Sequence, residues 1–565
     1  MRAAAQAAPA DPGFLRVSGK YILDGQGRNV LLRGIGLGNW MLQEPYMMEV
    51  TGIVDNQQQL KAKIAELVGA ERMERFYEAW WNQAFGSADV QAMARAGMNS
   101  IRLPMHYALL TPPADQEPVA GMNTWLEPGF KLIDDLLGWC EANRVYLILD
   151  MHACPGGQGH DRPISDYNPP APSLWESEAN RHKLIALWRE IARRYVDKPW
   201  IGGYDLINEP NWTFENRANK NGCEDQTNAP LRQLLMDLTA AVREVDTNHI
   251  IFLAGNCWGG NYNGILPPWD PNLVISFHKY WDPPTTDSLQ SWVKRRDQWN
   301  MPIWLGESGE NSNEWFRDVI RLCEAHNIGW AWWPWKKVGS IAGPVSIRKP
   351  EGYQRILDYW RNRGPKPSAD DAFAALMQLA AASRFENCFV RPDVLDAMMR
   401  PEAGNRTLPY AAHRLPGRIY AVHYDMGRAG EAFFDTTTSK PHNSGQALRN
   451  DSVDIQICTD DPSGATFNVG WTAPGEWLKY TLAQEVAGFF SVSARMASET
   501  GGEFHLEADG QKIGEPIKVP STGGWESWST VTGGRMNLST PAKTLKVVID
   551  SGSVNLYWFD FKPVP

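Results

Sequence analysis

Two glutamates stand where apolar runs stop. Residues 201–207 end in Asn208-Glu209, and Pro210 then forbids further strand pairing. Residues 301–305 lead into Gly306-Glu307-Ser308 in the same way. An apolar strand gains no stability by ending in a buried charge, so each carboxylate asks for a chemical reason. Two carboxylates from separate strand ends are the minimum equipment for cleaving an acetal bond between sugars. One attacks or stabilises the reacting carbon, and the other gives and takes the proton.

The elements that must position this pair alternate. Short apolar β-rich runs occur at 30–37, 100–103, 145–149, 203–207, 250–254, 273–277, 303–306 and 329–333. Amphipathic helical stretches lie between them, for example at 130–142, 183–195, 231–245 and 314–325. Eight strands alternating with helices predict an α/β protein, a closed parallel (β/α)8 TIM barrel over residues 14–364. The rival, a doubly wound sheet, lacks the Gly-rich turn that would open its first crossover. Polar residues crowd the carboxyl ends of these runs, where such a barrel keeps its active site. They are Arg102, Asp150 with His152, Asn208 with Glu209, His278 with Tyr280, Glu307, and then Trp333 and Trp335.

Length and composition narrow the partners. The 565 residues are too many for one core. A net charge of -10 excludes a surface built for nucleic acid or anionic membrane. No apolar run is long enough to span a bilayer. The 26 tryptophans are unusual. Their flat rings stack on the C–H faces of sugars, and the clusters Trp80-Trp81 and Trp332-Trp333-Pro334-Trp335 suit a cleft. The seven cysteines are scattered without a CxxC pair, which predicts small buried residues and occasional thiols rather than a zinc cluster or a dense disulfide framework. His160-Asp161 has no partners at ligand spacing, and no catalytic metal is expected. Glu44 and Glu310 are spare carboxylates, expected at the rim or on substrate. Residues 1–13 form a tail in which Ala5-Gln6-Ala7 resembles the end of a trimmed export signal. A secreted or periplasmic monomer is expected.

After Pro365 the pattern changes. Helices are predicted at 370–382 and 392–400, so 365–415 reads as a helical annex or linker. From 416 to 565 the helical signal gives way to short alternating strands at 477–482, 489–496, 503–509, 545–550 and 555–561, with Gly-rich turns between them. That is the pattern of an antiparallel β-sandwich.

The barrel set resembles glycoside hydrolase family 5, a family of retaining β-glycanases. The motif Leu206-Ile207-Asn208-Glu209-Pro210 carries the resemblance, with Arg102, His152, His278, Tyr280, Glu307 and Trp333 in order behind it. The opening Gly34-Ile35-Gly36-Leu37-Gly38-Asn39-Trp40, the later Glu44-Pro45 and the stretch 150–158 look like its exo-β-1,3-glucanase-like branch. The resemblance implies that Glu307 is the nucleophile and Glu209 the acid/base. It implies that Asn208 binds the sugar 2-hydroxyl, that His152 and His278 orient hydroxyls or the acid, and that Trp333 is the floor beneath the sugar, with Trp335 beside it. Arg102 and Tyr280 are expected to hold Glu307 ionised, and the charge of Glu307 to keep a proton on Glu209. The Pro- and Gly-rich stretch 156–172 is expected to shape one end of the cleft.

The C-terminal part resembles a family 6 carbohydrate-binding module over Asn468-Val469-Gly470-Trp471, Thr522-Gly523-Gly524-Trp525 and Val554-Asn555. The resemblance implies that Trp471 and Trp525 clamp a sugar ring and that Asn555 hydrogen-bonds it. Where that family opens with two glutamates for a structural calcium, this chain has Tyr420 and Val422, so calcium is doubtful although Asp560 is present. The expected activity is a β-glucan hydrolase with an appended polysaccharide-binding module. The alternatives are a β-glucan-binding protein, a cell-wall transglycosylase and a mannanase.

Overall fold

The computed structural model describes residues 13–119, 121–400, 405–436, 447–463 and 466–565. The possible signal remnant at 5–7 lies outside them. The described chain forms two compact units. The first takes in residues up to Gly309 and Leu322–Val390; the second takes in Glu310–Arg321 and Arg391–Pro565.

The first unit is a closed parallel barrel of eight strands: β1 Arg33–Gly36, β2 Ser100–His106, β3 Tyr146–Ala153, β4 Ile201–Asp205, β5 Ile251–Ala254, β6 Leu273–Lys279, β7 Ile303–Gly309 and β8 Gly329–Trp333. Each pairs with the next, and β8 closes on β1 through Trp330 opposite Arg33. All eight are buried almost throughout, because helices cover them outside and the barrel core fills them inside. That is why they read as continuous apolar runs.

Three of the helices start at a short polar side chain that caps them. Asn56 accepts from Gln59 N before Gln57–Val68, Ser177 accepts from Asn180 N before Glu178–Tyr195, and Ser368 accepts from Asp371 N before Ala369–Ala382. A hairpin of Arg16–Ser18 and Tyr21–Leu23 precedes the barrel. The stretch 365–415 is divided between the two units. Helix Ala369–Ala382 belongs to the barrel unit, and helix Pro392–Met399 belongs to the second.

The second unit is antiparallel. Its dominant strands are Trp477–Ser498, Gly502–Ala508, Gln511–Val519, Gly524–Gly552 and Asn555–Pro563. The two longest are paired with register shifts, for example between Thr481 and Val486 and between Ser491 and Ser493. Such bulges let a long strand bend around a core instead of running flat. Hence the runs expected at 477–482 and 489–496 are one bent strand. The core gathers Ile419, Phe433, Tyr480, Val492, Phe504, Leu545 and Phe559. Within this unit Asn313 donates to Asp393 at 2.8 Å and Arg317 reaches Asp396 at 3.1 Å.

Candidate active site

Arg102 on β2 is the hub of the barrel's polar centre. Its side chain is fully buried and serves four partners. Nε and one terminal nitrogen donate to Asp205 Oδ2 at 2.9 and 2.8 Å, and that nitrogen also reaches Asn208 Oδ1 at 2.7 Å and Asp150 Oδ1 at 3.1 Å. The other terminal nitrogen donates to Glu307 Oε1. Burial alone would weaken its hold on the proton. Asp150, Asp205 and Glu307 together outweigh burial and raise it further.

Glu307 near the end of β7 accepts on both oxygens, since the Tyr280 hydroxyl donates to Oε2 at 3.0 Å. Burial and the adjacent carboxylate push the Tyr280 phenol well above its usual range, so it stays a donor. Glu209 follows β4 and points at the same place. One oxygen of each glutamate and a ring nitrogen of His278 all lie within 4.8 Å of one another. That separation is of the order found when one carboxylate attacks the sugar directly, and it is shorter than a water-mediated inversion requires. The Glu209 and Glu307 side chains are 6% and 5% exposed, recessed but reachable.

The two glutamates differ in environment. Burial raises the Glu209 pKa to about 8, with Asp161 and Asp150 adding like-charge repulsion and Arg102 opposing. The expected cause is therefore corrected. Desolvation leads, and Glu307, whose charge is already taken up by Arg102 and Tyr280, is not among the causes. His278 Nδ1 lies 2.5 Å from Glu209 Oε1, and burial lowers the ring's pKa to about 4, so it is neutral.

Burial takes His152 to about 3. As a neutral ring it donates from Nδ1 to Asp150 Oδ2 at 2.7 Å and accepts at Nε2 from the Asn208 amide at 3.1 Å. This fixes Asn208 with its carbonyl on Arg102 and its amide free to offer a second hydrogen. Gln158 locks the backbone behind them by donating to His152 O and Asn208 O at 2.6 and 2.8 Å.

Trp333 lies parallel to the His152 ring, centroids 5.0 Å apart, and its indole N–H donates to the Tyr46 hydroxyl at 3.0 Å. A Cβ on Gly36 would sit 2.4 Å from this indole, so glycine there is what makes room for the ring. Glu44 Oε1 lies 4.0 Å from His152 Nε2, at the site rather than beyond it. Trp335 is a correction. Its indole is buried away from the cleft, donates to Asp89 Oδ1 at 2.8 Å and lies parallel to Phe385. The chain turns after β8 and carries it behind the barrel wall against helix Ser87–Ala96.

The loop 156–172 is fastened rather than loose. Asp166 meets His106 at the end of β2 at 2.8 Å and accepts from Gln58 N at 3.0 Å, and Tyr167 O accepts from Asn56 at 3.0 Å. His160 stacks on Trp212, centroids 4.1 Å apart. Sequence reasoning gave no role to Asp205, Tyr46 or Gln158. Asp205 left one usable signal, an aspartate inside an apolar strand that demands a buried cation.

On the second unit Trp471 and Trp525 are 57% and 38% exposed, large rings left in solvent. Asn555 is buried between them. Its amide donates to Trp525 O at 2.7 Å, and its Oδ1 closes on Gly470, where a Cβ would approach to 3.0 Å. The three residues are thus tied into one surface. Tyr420 packs beside His423 and Tyr557, and Val422 is in the core, so neither position offers a carboxylate.

Residues 60–339 match the model of the cellulase family, glycosyl hydrolase family 5. The barrel is a family 5 glycoside hydrolase domain. Residues 449–561 match a carbohydrate-binding module of family 35, which corrects the expectation of family 6. A β-xylosidase of Phanerodontia chrysosporium is 28% identical over 382 residues, covering 61% of this chain and 75% of the relative. Endoglucanase C of Acetivibrio thermocellus is 23% identical over 316 residues, covering 44% and 83%. A probable glucan 1,3-β-glucosidase A of Aspergillus niger is 23% identical over 271 residues, covering 45% and 56%.

The family 5 domain also holds a disulfide, Cys223–Cys257, where thiols were expected. Its partners are 34 residues apart on two loops, too far for spacing alone to reveal.

Proposed function

We propose that the family 5 domain hydrolyses β-linked glucans with retention, and that the family 35 module holds the polysaccharide. The observation that carries this reading is the unlike pair of carboxylates at close range. Glu307 is held as an acceptor by Arg102 and Tyr280, and Glu209 keeps its proton to about pH 8.

In the first step Glu307 attacks the anomeric carbon while the glycosidic C–O bond breaks and Glu209 protonates the departing oxygen. His278 donates to Glu209 Oε1, which leaves Oε2 to carry the proton to the leaving group. In the second step Glu209 takes a proton from water, whose oxygen displaces Glu307. Asn208, oriented by Arg102 and His152, offers its second amide hydrogen to the sugar 2-hydroxyl, and Trp333 forms the floor beneath the ring. The disulfide favours an oxidising compartment and so a secreted enzyme.

A second reading, a β-xylosidase, has the Phanerodontia relative in its favour. Paired aryl β-glucosides and β-xylosides, followed by a panel of β-1,3- and β-1,4-glucans and mannan with product sizing, decide between them and between exo and endo action. Added sugar acceptors that capture most of the glycosyl group would redirect the reading to a transglycosylase. No hydrolysis of any of these would leave only a binding protein.

Two outcomes follow directly. Because Glu209 is the proton donor and its pKa is raised, kcat/KM should fall as pH rises through about 8. A pH–rate profile on a substrate with a poor leaving group checks this, and a profile flat to pH 10 counts against Glu209 as acid. Trp525→Ala, and independently Trp471→Ala, should weaken binding to insoluble polysaccharide about tenfold, ~1.4 kcal/mol. Hydrolysis of short soluble substrates should stay unchanged. Depletion binding assays beside soluble-substrate kinetics test this division of labour.

A further inference from the structure

Glu209 leaves β4 with φ 41°, in the left-handed region that a glutamate occupies only when its surroundings impose it. Those surroundings form a closed ring of three loops. The Glu209 carbonyl accepts from Asn211 Nδ2 at 2.9 Å. Asn211 Oδ1 accepts from the backbone of Asp161 at 2.8 Å, and its carbonyl accepts from the backbone of His160 at 3.1 Å. The Asp161 carboxylate then accepts the indole N–H of Trp258 at 3.0 Å. The backbone N–H of Trp258 returns to the carbonyl of Pro210, next to Glu209, at 3.1 Å.

Trp258 stands on an unusual turn. It and Cys257 are consecutive left-handed residues, φ 54° and 53°, neither of them glycine. Two devices hold this turn. Asn256 grips Trp212 from both sides, accepting from its N–H at 3.1 Å and donating to its carbonyl at 2.7 Å. Cys257 is bonded to Cys223 in the loop that follows Glu209. A left-handed turn, a disulfide and an indole donor together hold the Asp161 carboxylate in the ring that carries the Glu209 backbone.

We propose that Asp161, presented by Trp258 on the disulfide-tethered turn, is a positioning residue that keeps the proton on Glu209 and so sets the upper pH limit of bond cleavage. This rests on the reading of Glu209 as the acid. The charged and titratable groups facing Glu209 are His278, neutral and hydrogen-bonded to it, Tyr280, a phenol that donates to Glu307, Arg102 and Glu307, which bind each other, Asp150, which is paired with Arg102, and Asp161. Asp150 and Glu307 are paired with Arg102, whereas among the described residues Asp161 is held by the Trp258 indole and forms no ion pair. Burial raises the Asp161 pKa, the indole bond of Trp258 opposes that rise by favouring the charged form, and the charge so held disfavours a second negative charge on Glu209.

The test compares pH profiles of kcat/KM for the full chain and for Asp161→Asn, Asp161→Glu, Trp258→Phe and Cys257→Ser. Two β-glucosides are used, one with an alkyl leaving group and one with dinitrophenolate. Losing the Asp161 charge lowers the Glu209 pKa, so the alkaline limb on the alkyl glucoside should move to lower pH. The shift is on the order of half to one unit for Asp161→Asn. Trp258→Phe and Cys257→Ser should move it the same way, and Asp161→Glu should restore it. Dinitrophenyl glucoside needs no proton from the enzyme, so its profile should stay put.

An unmoved limb in Asp161→Asn, or a uniform fall at every pH and on both substrates, overturns the proposal. An unmoved limb in Cys257→Ser alone removes the disulfide from it. Glu209→Gln separates the two levels. If it keeps full turnover on the alkyl glucoside, the acid assignment itself fails. If it loses that turnover while Asp161→Asn changes nothing, only the role of Asp161 fails.

Discussion

Glu307→Ala should abolish turnover, by about four to six orders of magnitude in kcat, while the protein stays folded and still binds polysaccharide. The fold should survive because Arg102 keeps Asp150 and Asp205 when Glu307 is gone, so no buried charge is orphaned. The module's rings Trp471 and Trp525 are untouched by the change. Glu307→Gly with added azide gives a sharper readout. Azide entering the vacated space should restore turnover on an activated glucoside and release the α-glucosyl azide, because it attacks from the face the carboxylate used. Kinetics and product stereochemistry check this. A β-azide, or an alanine variant that keeps a hundredth of the activity, would falsify the nucleophile assignment.

The contrast between the two glutamates explains why one site holds both. At this range two free carboxylates would raise each other's proton affinity. The protein avoids the stalemate by giving Glu307 a guanidinium and a phenol, and by placing Glu209 in a buried recess against a neutral imidazole. Desolvation is therefore the main cause of the raised Glu209 pKa, with Asp161 and Asp150 adding to it and Arg102 opposing.

The strands of the barrel were legible because both of their faces are buried, which leaves short apolar runs that stop at polar ends. The eight expected runs overlap β1 to β8, with ends that differ by a few residues. The pair proposed as catalytic, Glu209 and Glu307, was legible as a candidate for the same reason, as charge where a strand should end.

What sequence could not show was pairing at a distance. Arg102 and Asp205 are 103 positions apart, and nothing local marks them as partners. Trp335 was misplaced because a run of tryptophans gives no direction, and two residues past β8 the chain has already turned behind the wall. In the C-terminal unit the edge strand Gln511–Val519 went unseen because its Gly514 and Pro516 read as a turn. The bulged strands were split because a register shift breaks the alternation that marks a strand.

Arg102 should prove the costliest residue to change, in stability as well as rate. Arg102→Met leaves Asp150, Asp205 and Glu307 facing one another without a cation, and removing one partner of a buried pair costs about 3–5 kcal/mol. Urea unfolding should show that loss at pH 7. The loss should shrink as pH falls below about 7, because burial already raises Asp150 to about 7 and Asp205 to about 6 against the pull of Arg102, and without that cation they bind protons in the folded state and relieve their repulsion. Arg102→Lys separates charge from geometry. A lysine restores one positive charge, so most of the stability should return. Its single ammonium cannot hold Asp205, Asn208 and Glu307 at once as the planar guanidinium does. Turnover should therefore stay about a hundredfold or more below wild type, since a loosened nucleophile and an unoriented Asn208 act at the reacting atoms. A lysine variant with full activity would show that the charge alone suffices. A methionine variant as stable as wild type would show that the three carboxylates are already neutral, and the electrostatic account of the site would have to be rebuilt from that point.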